Sequence, residues 1–184
     1  GAPRTKPRAL QYALGFARGE LVVVYDAEDM PEPDQLRRVA AILAEAPAAT
    51  ACVQARLNVD NFHETWLTRQ FAVEYTALFD AILPAIARLG WPVPLGGTSN
   101  HFRRSALVAA GGWDPYNVTE DADLGMRLAR RQMDVALCTS TTWEEAPATL
   151  TGWLGQRTRW LKGWMQTYLV HMRAPSRLMR ELGV

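Results

Sequence analysis

At 184 residues the chain is long enough to bury one core, and 48% hydrophobic with 21% charged residues is ordinary composition for a folded domain. A formal net charge of +1 leaves no basic excess for wholesale binding to nucleic acid or acidic surfaces. Cys52 and Cys138 each lie inside an apolar run and read as buried, reduced thiols in a reducing compartment, not as a disulfide scaffold.

Residues 4–19 (RTKPRALQYALGFARG) read as a helix closed by Gly19. Residues 20–26 (ELVVVYD) follow as a short buried strand, placed centrally by its apolar run. The segment 32–47 is a second helix: Pro33 suits its first turn, Asp34 suits the dipole, and Pro47 follows its end. Residues 50–57 make a second strand. Between 64 and 89, Leu67, Phe71, Tyr75, Leu78, Ile82 and Ile86 recur at helical spacing, while Arg69, Glu74, Asp80 and Pro84 interrupt the apolar run. That pattern predicts one long amphipathic helix and not a bilayer span, which needs about 18 consecutive apolar residues.

A glycine-led loop over 94–104 enters a short extended segment, and residues 105–113 form a short helix ending at Gly111-Gly112. Residues 119–131 are a helix with acid at its start and arginine at its end, as the macrodipole prefers. A strand over 133–140 precedes a long helix over 149–172 and a short one over 175–182. Alternating strands and helices predict an α/β fold with a mainly parallel sheet. A doubly wound sheet usually opens on a strand and its ligand-binding turn; here a helix comes first.

Four constellations carry candidate chemistry. Asp26, Glu28 and Asp29 stand directly behind the valine-rich strand, where open α/β sheets bind ligands, and hard divalent cations take such carboxylates. A solvated acidic turn before the next helix explains the same residues. Thr119, Glu120 and Asp121, with Asp123 after them, suit either a helix N-terminus or a general base at Asp121. Gln156, Arg159 and Trp160 share one helix face, extended by Trp153, and Gly163 admits a close neighbour. Amide, guanidinium and indole suit a sugar or phosphate, and the same helix suits packing on a membrane or partner. Gly96-Gly97 with Thr98, Ser99, Asn100 and His101 is a polar loop or a plain glycine turn; His101 is assigned no chemistry.

The order of these signals is more specific than any one of them. A Lys-x-x-Ala-Leu helix (Lys6, Ala9, Leu10), the acidic cluster, the Thr-Ser-Asn segment, Thr-Glu-Asp and Gln-x-x-Arg-Trp follow one another along the chain. In this the sequence resembles the family-2 glycosyltransferases of the cellulose, chitin and hyaluronan synthase type, over nearly its whole length. The resemblance implies a nucleotide-sugar transferase fold of the GT-A type, with the N-terminal nucleotide-binding strand missing. It implies Mg2+ or Mn2+ held on a nucleotide diphosphate by Asp26 and Glu28. Glu28 replaces the usual second aspartate, and Asp29 is the alternative ligand. By the same likeness Asp121 is the catalytic base, supported by Glu120. Lys6 and Arg159 face the diphosphate, and Thr98, Ser99, Asn100, Gln156 and Trp160 line the acceptor.

The expected reaction is inverting transfer from a UDP-sugar to a growing polysaccharide or another acceptor hydroxyl. A non-processive glycolipid transferase shares these motifs, and a binding module without activity is the alternative of a different class. A metal-dependent phosphoryl-transfer enzyme would leave Gln-x-x-Arg-Trp without a role. Residues 1–148 are expected to form a partial catalytic core, and residues 149–184 its Gln-x-x-Arg-Trp helix and a membrane-proximal helix. Trp153, Trp160, Trp164 and Tyr168, with Arg157, Lys162, Arg173, Arg177 and Arg180, suit a headgroup layer. Family members carry transmembrane helices after this region. The expected setting is therefore the cytoplasmic face of the inner (plasma) membrane in a larger parent protein, with a carbohydrate or lipid-linked acceptor.

Overall fold

The computed structural model describes residues 4–183. Helix α1 (Lys6–Leu14) starts with Pro7 in its first turn and ends at Gly15, earlier than the expected stop at Gly19. Five strands form one sheet: β1 (Leu21–Val24), β2 (Met30–Pro31), β3 (Thr50–Val59), β4 (Asn100–Arg103) and β5 (Asp134–Glu144), in the order β1-β4-β3-β5-β2. β4 lies antiparallel to both β1 and β3, β5 lies parallel to β3, and β2 lies antiparallel to β5. β1, β3 and β5 therefore point one way, but β4 inserts between β1 and β3, so the sheet is mixed.

β3 is the hub. Its residues are buried almost without alternation, as in a strand covered on both faces. β1, expected at the centre, is instead an edge of the described sheet, with Leu21 and Val23 exposed. Helix α2 (Gln35–Glu45) lays Val39 and Leu43 on Val53, Ala55 and Cys138. A second cluster packs Val24, Cys52 and Phe102 of the sheet against Leu107, Trp113, Leu124 and Leu128. These last residues come from α5 (Arg104–Ala109), α6 (Glu120–Ala129) and the loop between them.

The segment expected as one long helix comes in three pieces: α3 (Trp66–Thr76), a π-helical stretch (Ala77–Ile82) and α4 (Leu83–Arg88). The wide stretch ends just before Pro84, which has no N–H and whose ring would clash with the carbonyl four residues back in an α-helix. Its wider turn keeps residues four apart in line. Phe71, Tyr75, Phe79 and Leu83 make the buried face, while Ile82, expected inside, is exposed. Helices α7 (Leu150–His171) and α8 (Pro175–Leu182) complete the chain. Among the described residues no helix is long and apolar enough to cross a membrane.

Candidate active site

The ends of β1 and β4 set the site. Val24 O, at the end of β1, accepts the Ser99 N–H at 2.8 Å and the Thr98 hydroxyl at 3.4 Å, which brings the Gly96–Ser99 turn beside the acidic one. The Asp26 N–H donates to Asp29 Oδ2 at 2.7 Å and to Thr98 Oγ1 at 3.3 Å, and the Thr98 hydroxyl donates to the same Asp29 oxygen. From the first turn of α1, the Lys6 ammonium pairs with Asp26 and donates to Gly97 O at 2.7 Å. Gly97 also lies against α6: a Cβ built on it would stand 3.4 Å from Asp121 Oδ2. Four segments far apart in sequence thus bring Lys6, Asp26, Asp29, Thr98 and Asp121 into one group.

Asp121 is half-buried, and its Oδ1 accepts the Ala122 N–H at 2.8 Å. Burial raises its pKa above the usual carboxylate range, although backbone N–H groups and the Lys6 charge pull the other way. A carboxylate moved toward neutrality by burial has the protonation behaviour of a general base. Glu120, next to it, is buried and pushed up to about 7 by burial and by the charge of Asp121. Asp29 is raised by burial too, against the lowering effect of its bonds from Thr98 and the Asp26 N–H.

Among the described residues no three His, Cys, Asp or Glu side chains converge on a ready-made metal position. Glu28 is exposed, whereas Asp26 and Asp29 face the turn. Asp29 Oδ1 is buried without a hydrogen-bond partner, an orphaned anionic oxygen of the kind a cation satisfies. One or two carboxylates plus substrate phosphates suffice for Mg2+, so the residues present fit such an ion through Asp26 and Asp29.

One acidic residue escaped the sequence reading. The β2–β5 register pairs Met30 with Trp143, so the next position opposes Asp29 with Glu144. Burial pushes Glu144 up to about 7, with the nearby charges of Asp29, Asp26 and Glu28 adding to the effect and a bond to Tyr75 opposing it. Glu144 Oε1 is buried without a partner. The available signal was Glu144-Glu145 at the carboxyl end of a strand, the same topological place as Asp26.

The expected acceptor residues behave differently from one another. Thr98, Ser99 and Asn100 are all buried. Their side chains make bonds within the fold, Thr98 to Asp29, Ser99 Oγ to Thr142 Oγ1 at 2.5 Å and Asn100 Nδ2 to Gly96 O at 2.5 Å, while Asn100 Oδ1 is buried without a partner. All three thereby shape the turn. Trp160 packs edge-on to Phe71 at 6.0 Å, and the guanidinium lying 4.8 Å over its ring belongs to Arg157. Arg157 also grips Glu74 through two bonds of 2.6 Å. It is turned into the α3–α7 contact and not toward a headgroup layer, and Arg177 is likewise engaged, with Glu181 at 2.6 Å. Arg159 is exposed, and Gln156 is half-buried with Oε1 unpartnered. No hydrogen bond or ion pair among the described residues joins Gln156, Arg159 or Trp160 to Asp121.

α7 reaches the group through its middle. A Cβ on Gly163 would lie 2.4 Å from Thr119 Cγ2, so only glycine lets the helix rest on the residue that opens α6. Thr119 makes no N-cap bond; its hydroxyl meets Thr167 Oγ1 at 3.3 Å, and Asn117 Nδ2 donates to Thr167 Oγ1 at 3.0 Å. Further on, Asp123 receives His171 Nε2 at 2.9 Å and Arg127 Nε at 2.7 Å. Burial alone would raise the Asp123 carboxyl, but the His171 bond and the Arg127 charge hold it below the usual range. Asp123 is a clamp, whereas Asp121 spends one oxygen on a backbone N–H and sets the other against Gly97.

Residues 21–182 match the model of the glycosyl transferase family group 2, and the chain belongs to that family. A probable glycosyltransferase of Bacillus subtilis, YdaM, is 31% identical over 165 residues, covering 88% of this chain and 39% of that protein. A beta-monoglucosyldiacylglycerol synthase of Synechocystis is 33% identical over 176 residues, covering 94% and 36%. Glucomannan 4-beta-mannosyltransferase 2 of Arabidopsis thaliana is 32% identical over 147 residues, covering 78% and 27%. The chain thus spans about a quarter to two fifths of the length of these relatives. Among solved structures, the mannosyltransferase PcManGT of Pyrobaculum calidifontis, in complex with GDP-Man and Mn2+, superposes with a TM-score of 0.70 at 22% identity. That match covers 98% of this chain and 48% of the other. The fold is of the GT-A type, as the sequence reading expected.

Proposed function

We propose that the chain carries the central part of an inverting glycosyl-transfer site, moving a sugar from a nucleoside-diphosphate sugar to an acceptor hydroxyl. The observation that carries this is the contact chain Asp26–Lys6–Gly97–Asp121, which puts a diphosphate-binding corner and a half-buried carboxylate on opposite sides of one turn. Asp121 takes the proton of the acceptor hydroxyl as that oxygen attacks the anomeric carbon, and the bond to the diphosphate oxygen breaks on the far face. Lys6 and Arg159 supply positive charge to the departing diphosphate. Asp26 and Asp29, with Glu28 at the rim, would hold a Mg2+ or Mn2+ ion, which would supply further charge stabilisation to the departing diphosphate.

A UDP-sugar is the donor that the sequence resemblance supports, while the structural neighbour bound to GDP-Man keeps GDP in play. The acceptor is a carbohydrate or a lipid-linked hydroxyl. The beta-monoglucosyldiacylglycerol synthases among the relatives favour a single addition to a lipid, and the glucomannan mannosyltransferase favours a growing polysaccharide. Isothermal calorimetry of the chain with UDP and with GDP, each with Mn2+, tests the donor corner. Manganese-dependent binding of one nucleotide is expected, and absence of binding to both contradicts the proposal. Proton NMR of the product then reads the anomeric configuration, which must be opposite to that of the donor.

Membrane contact at the cytoplasmic face belongs to the same reading. Leu161, Trp164, Met165, Tyr168 and Leu169 of α7 are exposed, and Met179 adds to them from α8. Flotation with anionic vesicles at low salt is expected to carry the chain upward. A chain left at the bottom contradicts this part.

A further inference from the structure

One side chain holds the Gly96–Ser99 turn from beneath without touching the reacting groups. Gln54 of β3 is 1% exposed. Its Oε1 accepts the Gly96 N–H at 2.7 Å, and its Nε2 donates to Thr98 O at 3.0 Å and to Ala55 O at 2.8 Å. Ser99 O lies at 3.5 Å from the same nitrogen. A single planar amide therefore ties the start of the turn to its end, and both to β3. Gly96 can approach this closely because it lacks a Cβ, which would stand 3.1 Å from Leu57 Cδ1 and 3.3 Å from the Phe79 ring.

The turn needs such a hold. Ser99 has a φ of 55°, a left-handed conformation that a non-glycine residue keeps only where its surroundings impose it. On its open side the turn carries three contacts of the site. Gly97 O holds Lys6, the Gly97 Cα faces Asp121, and the Thr98 hydroxyl fixes Asp29. Whatever fixes the backbone of residues 96–99 sets the spacing between the base and the diphosphate corner.

We propose that Gln54 is a positioning residue for glycosyl transfer: its side-chain amide clamps the Gly96–Ser99 turn and thereby holds Asp121, Lys6 and Asp29 at their working separation. The kinetic part of this rests on the transfer reading above; the clamp itself does not. Gln54→Met removes every bond of the clamp at similar volume. Gln54→Glu keeps an acceptor for the Gly96 N–H but sets a carboxylate oxygen against Thr98 O.

The test pairs backbone amide hydrogen exchange with steady-state kinetics on wild type and both variants. The expected result is faster exchange at residues 96–99 with the amides of β3 still protected. With it comes a fall in kcat of about 10²-fold for Gln54→Met, the scale of a misplacement of about 1 Å, and a smaller fall for Gln54→Glu. Affinity for the nucleotide with Mn2+ is expected to change much less than kcat. Wild-type exchange at Gly96 together with wild-type kcat in a folded variant overturns the proposal. So does loss of protection across β3 with kcat and nucleotide affinity falling together, since that marks general unfolding. A wild-type chain that turns over no sugar contradicts the transfer reading, and the exchange pattern at 96–99 then decides the clamp alone.

Discussion

Three carboxylates, one in the turn after β1 and two in the first turn of α6, do three different jobs because their oxygens meet different neighbours. Asp123 is saturated by His171 and Arg127, Asp26 is paired with Lys6, and Asp121 has one oxygen on a backbone N–H and the other against Gly97. Glu144 is the further acid that the fold adds. Its folded-state value near 7 lies above the ordinary 4.5, so between those values the folded chain binds more protons than the unfolded one. Stability contributed by this group is therefore largest at low pH and declines as pH rises from about 4.5 to about 7. Glu144→Gln is expected to flatten the fall of Tm across that window, leaving the part due to Glu120, which titrates in the same range. An unchanged Tm–pH curve contradicts the environment described for Glu144. The sequence marks Glu144 only by its place at the carboxyl end of a strand; that it opposes Asp29 comes from the β2–β5 register, and a two-residue strand carries no periodicity to announce it.

At the scale of elements, the docking of α7 on α6 depends on a missing side chain. Gly163→Val puts a branched side chain where even a Cβ meets Thr119 at 2.4 Å, with backbone shift as the way out. A loss of about 1–3 kcal/mol is expected, the usual cost of overpacking, measured as a lower midpoint in urea. A wild-type midpoint would mean that α7 does not rest on Thr119. The sequence shows that Gly163 admits a close neighbour but not which one, since that neighbour lies 44 positions away. The same limit applies to the long helix. Its existence was plain from the apolar spacing, but the π-helical stretch before Pro84 moved the inner face from Leu78 and Ile82 to Phe79 and Leu83. Periodicity read at a single fixed spacing does not register a change of pitch.

For the molecule as a whole, strands and helices were legible in nearly every case, because their apolar runs and their Gly and Pro boundaries are local. What was not local was the sheet order. β4 enters antiparallel between β1 and β3, and that insertion is what carries the Gly96–Ser99 turn to the acidic turn at the end of β1. Topology decides which side chains of the motif segments meet: Lys6, Asp26, Asp29, Thr98 and Asp121 come together, while Ser99 and Asn100 turn inward to build the turn. Under the proposed function, Asp121 serves as the base in a site assembled from these segments. The most direct measurement is the single-turnover rate of sugar transfer by Asp121→Asn, with nucleotide affinity measured in parallel. Asn keeps an acceptor for the Ala122 N–H and removes only the proton-accepting charge. A rate lower by about 10²- to 10⁴-fold with nucleotide affinity retained is expected; transfer at the wild-type rate would contradict a base at Asp121.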